Sequence, residues 1–275
     1  MTNFQFTEEQ VRDYNNDGYV IVKNFLLGDE VKKLQEIAFD DGIMRRHAFD
    51  LNDQSGKKTK LTLWYTPGND TYGLLSKSRR MVESADRLMD GDSRVCHFHS
   101  KLMQKEPKVG GAWEWHQDYG YWYKNEFLFP DQMISIMIAI TDANKANGCL
   151  QVIKGTHKMG RIEHGFSGEQ VGASQHYVEL ALKTKELVYV EINAGDALFF
   201  HPNLLHRSEA NLSDKPRWSL ISVYNRSENV PYNEPSQSST VPLDVVPDEA
   251  LLQWETEKIS DNANFLDKEK DEALK

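Results

Sequence analysis

The chain has 275 residues, of which 39% are hydrophobic and 27% are charged, and its formal net charge at pH 7 is −10. This length suits one large domain or two small ones, and the composition is ordinary for a soluble protein with a core. A net-acidic chain lacks the basic footprint that nucleic-acid binding requires, so we expect no nucleic-acid partner.

The N-terminal third of the sequence has the periodicity of helices. Helices are predicted over residues 7–16, from Asp29 to about Phe39 and over 73–89, with a strand at 19–22. Thr7 is the expected cap of the first helix, and Gly18 ends it before the strand. Residues 40–60 are polar and rich in turn formers, so we predict a loop there.

After Gly91 the pattern changes to short runs rich in Val, Ile, Phe and Tyr. Strands are predicted at 94–104, 133–141, 149–153, 186–192, 197–200 and 217–224. Helices followed by many strands favour a mainly β fold with flanking helices. We predict a double-stranded β-helix, the cupin-like jelly roll, with the N-terminal helices packed on one sheet.

The predicted domain organisation has one functional domain and a tail. The domain covers 1–228, with its jelly-roll core at about 94–225. A polar extension follows at 229–275, in which DEALLQWETEK (248–258) can form one more helix. Three polar loops, at 40–72, 119–131 and 160–185, are expected to shape the entrance to a site.

Two features of the sequence indicate the compartment. The only cysteines, Cys96 and Cys149, lie in apolar, strand-like runs, which favours buried thiols in a reducing compartment. The N-terminus has no secretory signal pattern, and no apolar run approaches the ~18 residues of a membrane helix. We therefore expect a cytoplasmic protein with no membrane partner.

The stretch WEWHQDYGYW at 113–122 places an imidazole and a carboxylate two residues apart. On a strand, His116 and Asp118 would point to the same side and Gln117 to the other. The first two side chains could then bind one metal ion together. A third ligand would have to come from elsewhere in the chain.

A second stretch, GDALFFHPNLLHRSEANLSDKPRWSL at 195–220, offers that third ligand as His201 or His206. Two imidazoles and one carboxylate form the facial triad of non-haem Fe(II) oxygenases, which leaves three positions open on the metal. A 2-oxo acid could fill two of them if a fixed cation held its far carboxylate. Arg217, eleven residues after His206, is suited to that task by its bidentate fork.

Taken in order, these motifs resemble the phytanoyl-CoA dioxygenase family of Fe(II)- and 2-oxoglutarate-dependent oxygenases. DGYVIVKNFL (17–26), NGCLQVIKGTHKMG (147–160) and GDALFFHPNLLHRSEAN (195–211) are similar to further motifs of that family. The resemblance covers roughly residues 8 to 225. It is strongest to the small bacterial-type and domain-containing members.

The resemblance implies roles for particular residues. His116, Asp118 and His206 would hold Fe(2+), and His201 would be only a neighbour. Arg217 and Ser208 would hold the 5-carboxylate of 2-oxoglutarate. With O2 as oxidant and ascorbate as a candidate reductant, the implied reaction hydroxylates a C–H bond of a small molecule and releases succinate and CO2. Related halogenases lack the carboxylate that Asp118 provides, so its presence favours hydroxylation, or a desaturation or rearrangement variant, over halogenation.

The resemblance also places residues near the substrate pocket. These are His99, Lys101, Trp122 and Met137. Some relatives have Trp where Met137 stands, and relatives tend to have an amide near the position of His99. By strand alternation, His97 and His99 would share one face of their strand.

Two other classes of function remain open at this stage. A hydrolase or isomerase on a cupin-like barrel could use the same triad to hold zinc and a water. A non-catalytic binding module with a degenerate site is the other, although the intact ligand set argues against it. The hydrolase or isomerase would give neither Arg217 nor Ser208 a task. The sequence defines neither the substrate nor the oligomeric state.

Overall fold

The structure is a computed structural model in which two β-sheets face each other and helices cover the larger sheet. It describes residues 4–123, 129–167, 169–232, 239–253, 259 and 263–267. All strand pairings that order the sheets are antiparallel. This is the predicted jelly roll, and the fold class is confirmed.

Thirteen strands are found in the described part of the chain. They are β1 (Tyr19–Val22), β2 (Phe49–Asn52), β3 (Lys58–Trp64), β4 (Val95–Lys105), β5 (Trp113–His116), β6 (Met133–Ala139), β7 (Leu150–Ile153), β8 (His164–Ser167), β9 (Gln170–Ala173), β10 (Leu187–Val190), β11 (Ala197–Phe200), β12 (His206–Ser208) and β13 (Arg217–Arg226). The major sheet has the order β1-β11-β6-β13-β4-β3-β2, and the minor sheet has the order β10-β7-β12-β5. Strands β8 and β9 form a separate hairpin.

Helices precede the strands of the jelly roll and also lie between them. They are α1 (Glu8–Asp17), α2 (Gly28–Asp40), α3 (Gly42–His47), α4 (Thr71–Lys77), α5 (Arg79–Leu88), α6 (Asp118–Trp122), α7 (Gln175–Thr184) and α8 (Ala250–Gln253). Short 3-10 turns occur at Pro130–Gln132, Lys145–Asn147 and Thr156–Met159. The first helix is as predicted: Thr7 caps it, and it ends at Gly18, whose φ of 82° suits a residue without a side chain.

The apolar side chains pack in three layers. Strand β6 shows the division, because Ile134, Ile136 and Ile138 enter the core between the major sheet and the helices. Met133 and Met137 face the other way, into the core between the two sheets. A smaller third core lies between the minor sheet and α7. Both faces of β6 are therefore buried, which explains why Ser135 is its only polar residue.

The prediction of a loop at 40–60 is wrong. This stretch contains α3, whose first turn is capped by the Asp41 carboxylate, then β2 and the beginning of β3. β3 also pairs with β4. This pairing stabilises β3, although its own sequence has only a weak preference for strand structure. The stretch 160–185 is likewise no simple loop, because it contains β8, β9 and α7. The helix predicted at 73–89 is interrupted at Ser78, which separates α4 from α5.

Part of the predicted C-terminal extension packs on the domain. Leu243, Leu251, Ile259 and Ala263 belong to the core between the helices and the major sheet. The helix predicted at 248–258 is present as α8, and residues 254–258 lie outside the described residues. The domain boundary at 228 stays a prediction. Among the helices that the structure describes, none is sufficiently long and apolar to span a bilayer.

Candidate active site

The three candidate metal ligands come together where the minor sheet ends. His116 is the last residue of β5, His206 is the first of β12, and the two are directly paired across the sheet. A strand that continues to Asp118 was predicted, but β5 ends at His116 and Asp118 begins α6. Gln117 between them is extended, with φ −110° and ψ 136°, so side chains on either side of it still point to the same side.

The geometry of this triad suits one metal ion. The Asp118 Oδ1 atom lies 3.9 Å from Nε2 of His116 and 3.9 Å from Nε2 of His206. One ligand atom from each residue lies within 4.8 Å of the other two, and all three residues are buried. Two imidazoles and a carboxylate on one side of an ion match the donor set of non-haem Fe(II) sites.

Hydrogen bonds behind the triad fix the orientation of each ligand. Nδ1 of His116 lies 2.7 Å from the carbonyl oxygen of Glu114, and Nδ1 of His206 lies 2.9 Å from that of Leu204. A carbonyl can only accept, so each Nδ1 carries the proton and each Nε2 offers its lone pair to the centre of the triad. The Ser135 hydroxyl donates to Asp118 Oδ2 at 2.7 Å, which leaves Oδ1 for a metal.

Burial sets the protonation of these groups. It lowers the pKa of His116 well below its usual value and also lowers that of His206, so both imidazoles are neutral near pH 7. Burial alone would raise the pKa of Asp118, but the Lys101 ammonium group and the Ser135 hydroxyl bring it below its usual value. The site therefore offers two neutral nitrogen ligands and one carboxylate.

Gln117 joins the segments that surround the triad. Its side-chain amide donates to the carbonyl oxygens of Gly160 and Asn203, at 2.8 and 2.7 Å. Its side-chain oxygen accepts from the backbone N–H of Ile162 at 2.7 Å. The residue is fully buried and points away from the metal ligands, as alternation along the chain predicts.

Arg217 is a buried cation that lines the same cavity as the triad. In the part of the chain that the structure describes, its guanidinium has neither a carboxylate partner nor a hydrogen-bond acceptor. Burial lowers its pKa to about 10, which leaves it charged at neutral pH. A buried charge without a partner is strongly unfavourable, so this cavity fits an anion. Ser208 lines the cavity beside it.

A buried lysine, Lys105, lies next to Arg217 in the major sheet, and it was not predicted from the sequence. It is paired with Arg217 across β4 and β13, and it is fully buried. Its ammonium group donates to the carbonyl oxygens of Ser208 and Glu209, which holds the end of β12 in place. Burial and then the charge of Arg217 lower the pKa of Lys105 well below its usual value.

The four residues predicted near the substrate pocket all line this cavity, whose volume is about 120 Å³. They are His99, Lys101, Trp122 and Met137. The Lys101 ammonium nitrogen lies 3.4 Å from Asp118 Oδ1. The Nε2 atom of His99 is buried and has no hydrogen-bond partner among the described residues. The indole ring of Trp122 meets the His99 ring edge to face, with 5.6 Å between their centroids.

A β-bulge decides which histidine of β4 faces the cavity. The pairing with β13 shifts between Val223 and Tyr224, which leaves Phe98 as an extra residue in β4. His99 therefore lines the cavity, whereas His97 hydrogen-bonds Ser100 Oγ at 2.8 Å among the buried polar residues of the opposite face. The prediction that His97 and His99 share a face is wrong.

The remaining walls of the cavity are apolar, and several come from segments that were predicted as loops. Phe49, Leu51, Leu61 and Leu63 of β2 and β3 line it, together with Trp113, Tyr121 and Leu266. Trp115 lies instead in the third core, on the face of the minor sheet that packs against α7. The other candidate ligand, His201, is not part of the triad. Its Nε2 atom lies 2.8 Å from Asp131 Oδ1.

The jelly roll and the His-Asp-His donor set define the class of non-haem iron oxygenases. The chain belongs to the phytanoyl-CoA dioxygenase family, whose sequence profile matches residues 14–219. Family, fold and reaction class are thereby as the sequence predicted.

Characterised proteins and solved structures support this assignment. The chain is 26% identical over 234 residues to L-proline trans-4-hydroxylase of Streptomyces griseoviridis, covering 79% of this chain and 86% of that protein. It is 25% identical over 236 residues to ectoine dioxygenase of Halomonas elongata, covering 80% of this chain and 70% of that protein. The structure of EctD from S. alaskensis with 2-oxoglutarate and 5-hydroxyectoine superposes with a TM-score of 0.67 at 18% identity and covers 88% of each chain.

The lowered pKa values of six histidines predict how the stability of the metal-free protein changes with pH. Burial lowers the pKa of the four fully buried residues His97, His99, His116 and His206, and partial burial lowers that of His157 and His164. The unfolded chain binds protons below about pH 6.5 and the folded chain does not, so stability falls as the pH falls below 6.5. His97, whose pKa is lowered to about 4, contributes about 2 kcal/mol of this loss at pH 5.

The measurement is urea unfolding of the metal-free protein at pH 7.5, 6.5 and 5.0. We expect the midpoint to fall between the last two values, and to fall less in a His97→Gln variant. An unchanged midpoint down to pH 5 would contradict the neutral state of these side chains.

Proposed function

We propose that this protein is an Fe(II)- and 2-oxoglutarate-dependent dioxygenase that hydroxylates a C–H bond of a small molecule. One oxygen atom of O2 would enter succinate, formed with CO2 from 2-oxoglutarate, and the other would enter the product. The observation that carries the proposal is one cavity that contains both the His-Asp-His triad and Arg217, which is buried and has no partner among the residues that the structure describes.

The proposal gives each polar group of the cavity a task. His116 and His206 would bind iron through Nε2, and Asp118 through Oδ1. The bound iron would supply the activation of O2. Arg217 would grip the 5-carboxylate of 2-oxoglutarate with both branches of its fork, and Ser208 would add a hydroxyl donor. Ser135 keeps the Asp118 carboxylate from turning, because it holds Oδ2.

The acceptor would occupy the other side of the triad. His99 and Lys101 are the polar groups there, and Trp122 and Met137 are the adjoining walls. The His99 ring, whose Nε2 has no hydrogen-bond partner in the described part of the chain, is uncharged near neutral pH, because burial lowers its pKa well below the usual value. We propose that His99 and Lys101 orient the acceptor by an acidic or hydrogen-bonding group, while the apolar walls enclose the carbon to be oxidised.

A metal-dependent hydrolase or isomerase is not favoured. Such an enzyme would explain the triad but would leave a buried cation without a ligand. The placement of Arg217 beside the triad instead suits a co-substrate that bridges metal and guanidinium. The two buried cysteines, Cys96 and Cys149, are free. This supports the proposal that the protein works in the cytoplasm, where thiols stay reduced.

The decisive experiment adds 2-oxoglutarate to the Fe(II)-loaded protein without oxygen. Chelation of iron by the 2-oxo acid should give a weak visible charge-transfer band, and admission of O2 should discharge the band and release succinate. A His201→Gln variant serves as control, because His201 lies outside the triad and should not alter the band. If no band forms with wild-type protein, the proposed function is wrong. Turnover of a substrate with zinc and without 2-oxoglutarate would favour the hydrolase.

A further inference from the structure

Residues 263–267 run along the edge of the major sheet beside β3. The backbone N–H of Tyr65 donates to the carbonyl of Asn264 at 3.0 Å, and the N–H of Leu266 donates to the carbonyl of Leu63 at 2.9 Å. Strand β2 pairs with β3 only from Lys58 to Leu61. The C-terminal segment thus occupies the part of the sheet edge that β2 leaves open.

Side-chain packing holds this segment in one position. The ring of Phe265 stacks on that of His47, with centroids 3.8 Å apart and planes at 2°. Phe265 also packs on the core between the helices and the major sheet, where Ala263 is buried. Because side chains alternate along an extended chain, Leu266 points the other way, into the cavity.

Leu266 stands at the end of a row of residues that crosses the sheet. Leu63 is paired with Lys101, Lys101 with Ile221, and Ile221 with Met137. All four of these residues line the cavity, and Leu266 lies beside Leu63. Neighbouring strands are spaced by ~4.8 Å, so Leu266 stands about 10 Å from Lys101, two strands away.

We propose that the segment 263–267 is a wall of the acceptor pocket and that Leu266 limits the length of the acceptor. The inference rests on the proposed function and assigns the acceptor chemistry: an acidic group at Lys101 and an aliphatic body that extends along Leu63 toward Leu266. The family match ends at residue 219, so this wall is supplied by a part of the chain beyond the family's shared motifs. Acceptor choice would then depend on residues far from the triad in sequence.

The test uses straight-chain carboxylates from butanoate to dodecanoate as probes. Their binding is measured by the fluorescence of the metal-free protein, since Trp113 and Trp122 line the cavity, and by the shift of the Fe(II)–2-oxoglutarate band without oxygen. The variants are Leu266→Ala and Leu266→Trp. Leu212→Ala, at a residue that is 68% exposed, is the control.

We expect wild-type affinity to rise with chain length and then to fall. Leu266→Ala should move the optimum to longer chains and tighten binding of the longest probes by at least about tenfold, and Leu266→Trp should move it to shorter chains. The same length profile in all variants, or no binding of any probe to wild-type protein, would overturn the inference. The band formed by Fe(II) and 2-oxoglutarate alone separates the two proposals, because its presence with an unchanged length profile would leave the proposed function standing.

Discussion

Replacing Asp118 with alanine is expected to abolish turnover and to weaken iron binding. The carboxylate is the only anionic ligand of the triad, and the two neutral imidazoles that remain cannot balance the charge of a divalent ion. Loss of several kcal/mol of stabilisation at the metal corresponds to a rate at least about 10³-fold lower. The measurement is iron affinity together with succinate release, on a variant whose folding has been checked by circular dichroism.

Ser135→Ala is the matched control for this change. It keeps the carboxylate and removes only the hydroxyl that donates to Asp118 Oδ2 at 2.7 Å. Loss of such a supporting hydrogen bond should lower metal affinity or activity by about 10- to 100-fold, less than the loss of the ligand itself. An Asp118→Ala protein with full iron affinity and full turnover would refute the triad.

Replacing Arg217 with methionine is expected to separate co-substrate binding from stability. The affinity for 2-oxoglutarate should fall by about 10²- to 10³-fold, because a buried, charge-assisted bidentate contact is lost. The metal-free protein should nevertheless unfold at the same or a higher temperature. The guanidinium is buried and unpaired among the described residues, and its removal relieves an unfavourable charge.

Titration of the charge-transfer band and thermal unfolding with and without 2-oxoglutarate measure both effects. Wild-type protein should be stabilised by the co-substrate, and Arg217→Met should not. Arg207→Met is the control, since Arg207 pairs with Glu209 and Gln151 away from the cavity. An unchanged 2-oxoglutarate affinity in Arg217→Met would show that another group holds the 5-carboxylate.

Local patterns were enough to predict the helical N-terminus and most of the jelly-roll strands. His116 and Asp118 could be proposed as ligands because they are close in sequence, whereas the choice of His206 over His201 depended on the family resemblance. His116 and Asp118 point to the same side, but not because both lie on a strand. Asp118 is on a helix, but the extended backbone of Gln117 preserves the alternation that a strand would give.

Features that depend on partners distant in sequence were not predicted. β3 is supported by its pairing with β4, which local preference does not reveal. The bulge that turns His99 into the cavity becomes visible only when β4 is aligned with β13. Leu266 follows a polar stretch, and nothing in its sequence neighbourhood links it to a pocket formed by β3 and β4. Lys105 was missed because it lies at the polar end of β4, next to Gln104 and Glu106, where a lysine is expected to be exposed.

The three hydrogen bonds of Gln117 have a consequence for how iron is acquired. By joining the segments around Gly160, Ile162 and Asn203, they preorganise the ligand positions before any ion arrives. The conformational entropy of ordering the site is then lost during folding and not during metal binding. Iron should therefore exchange with other divalent ions without refolding of the chain, so that the metal content of the protein reflects the ions available to it.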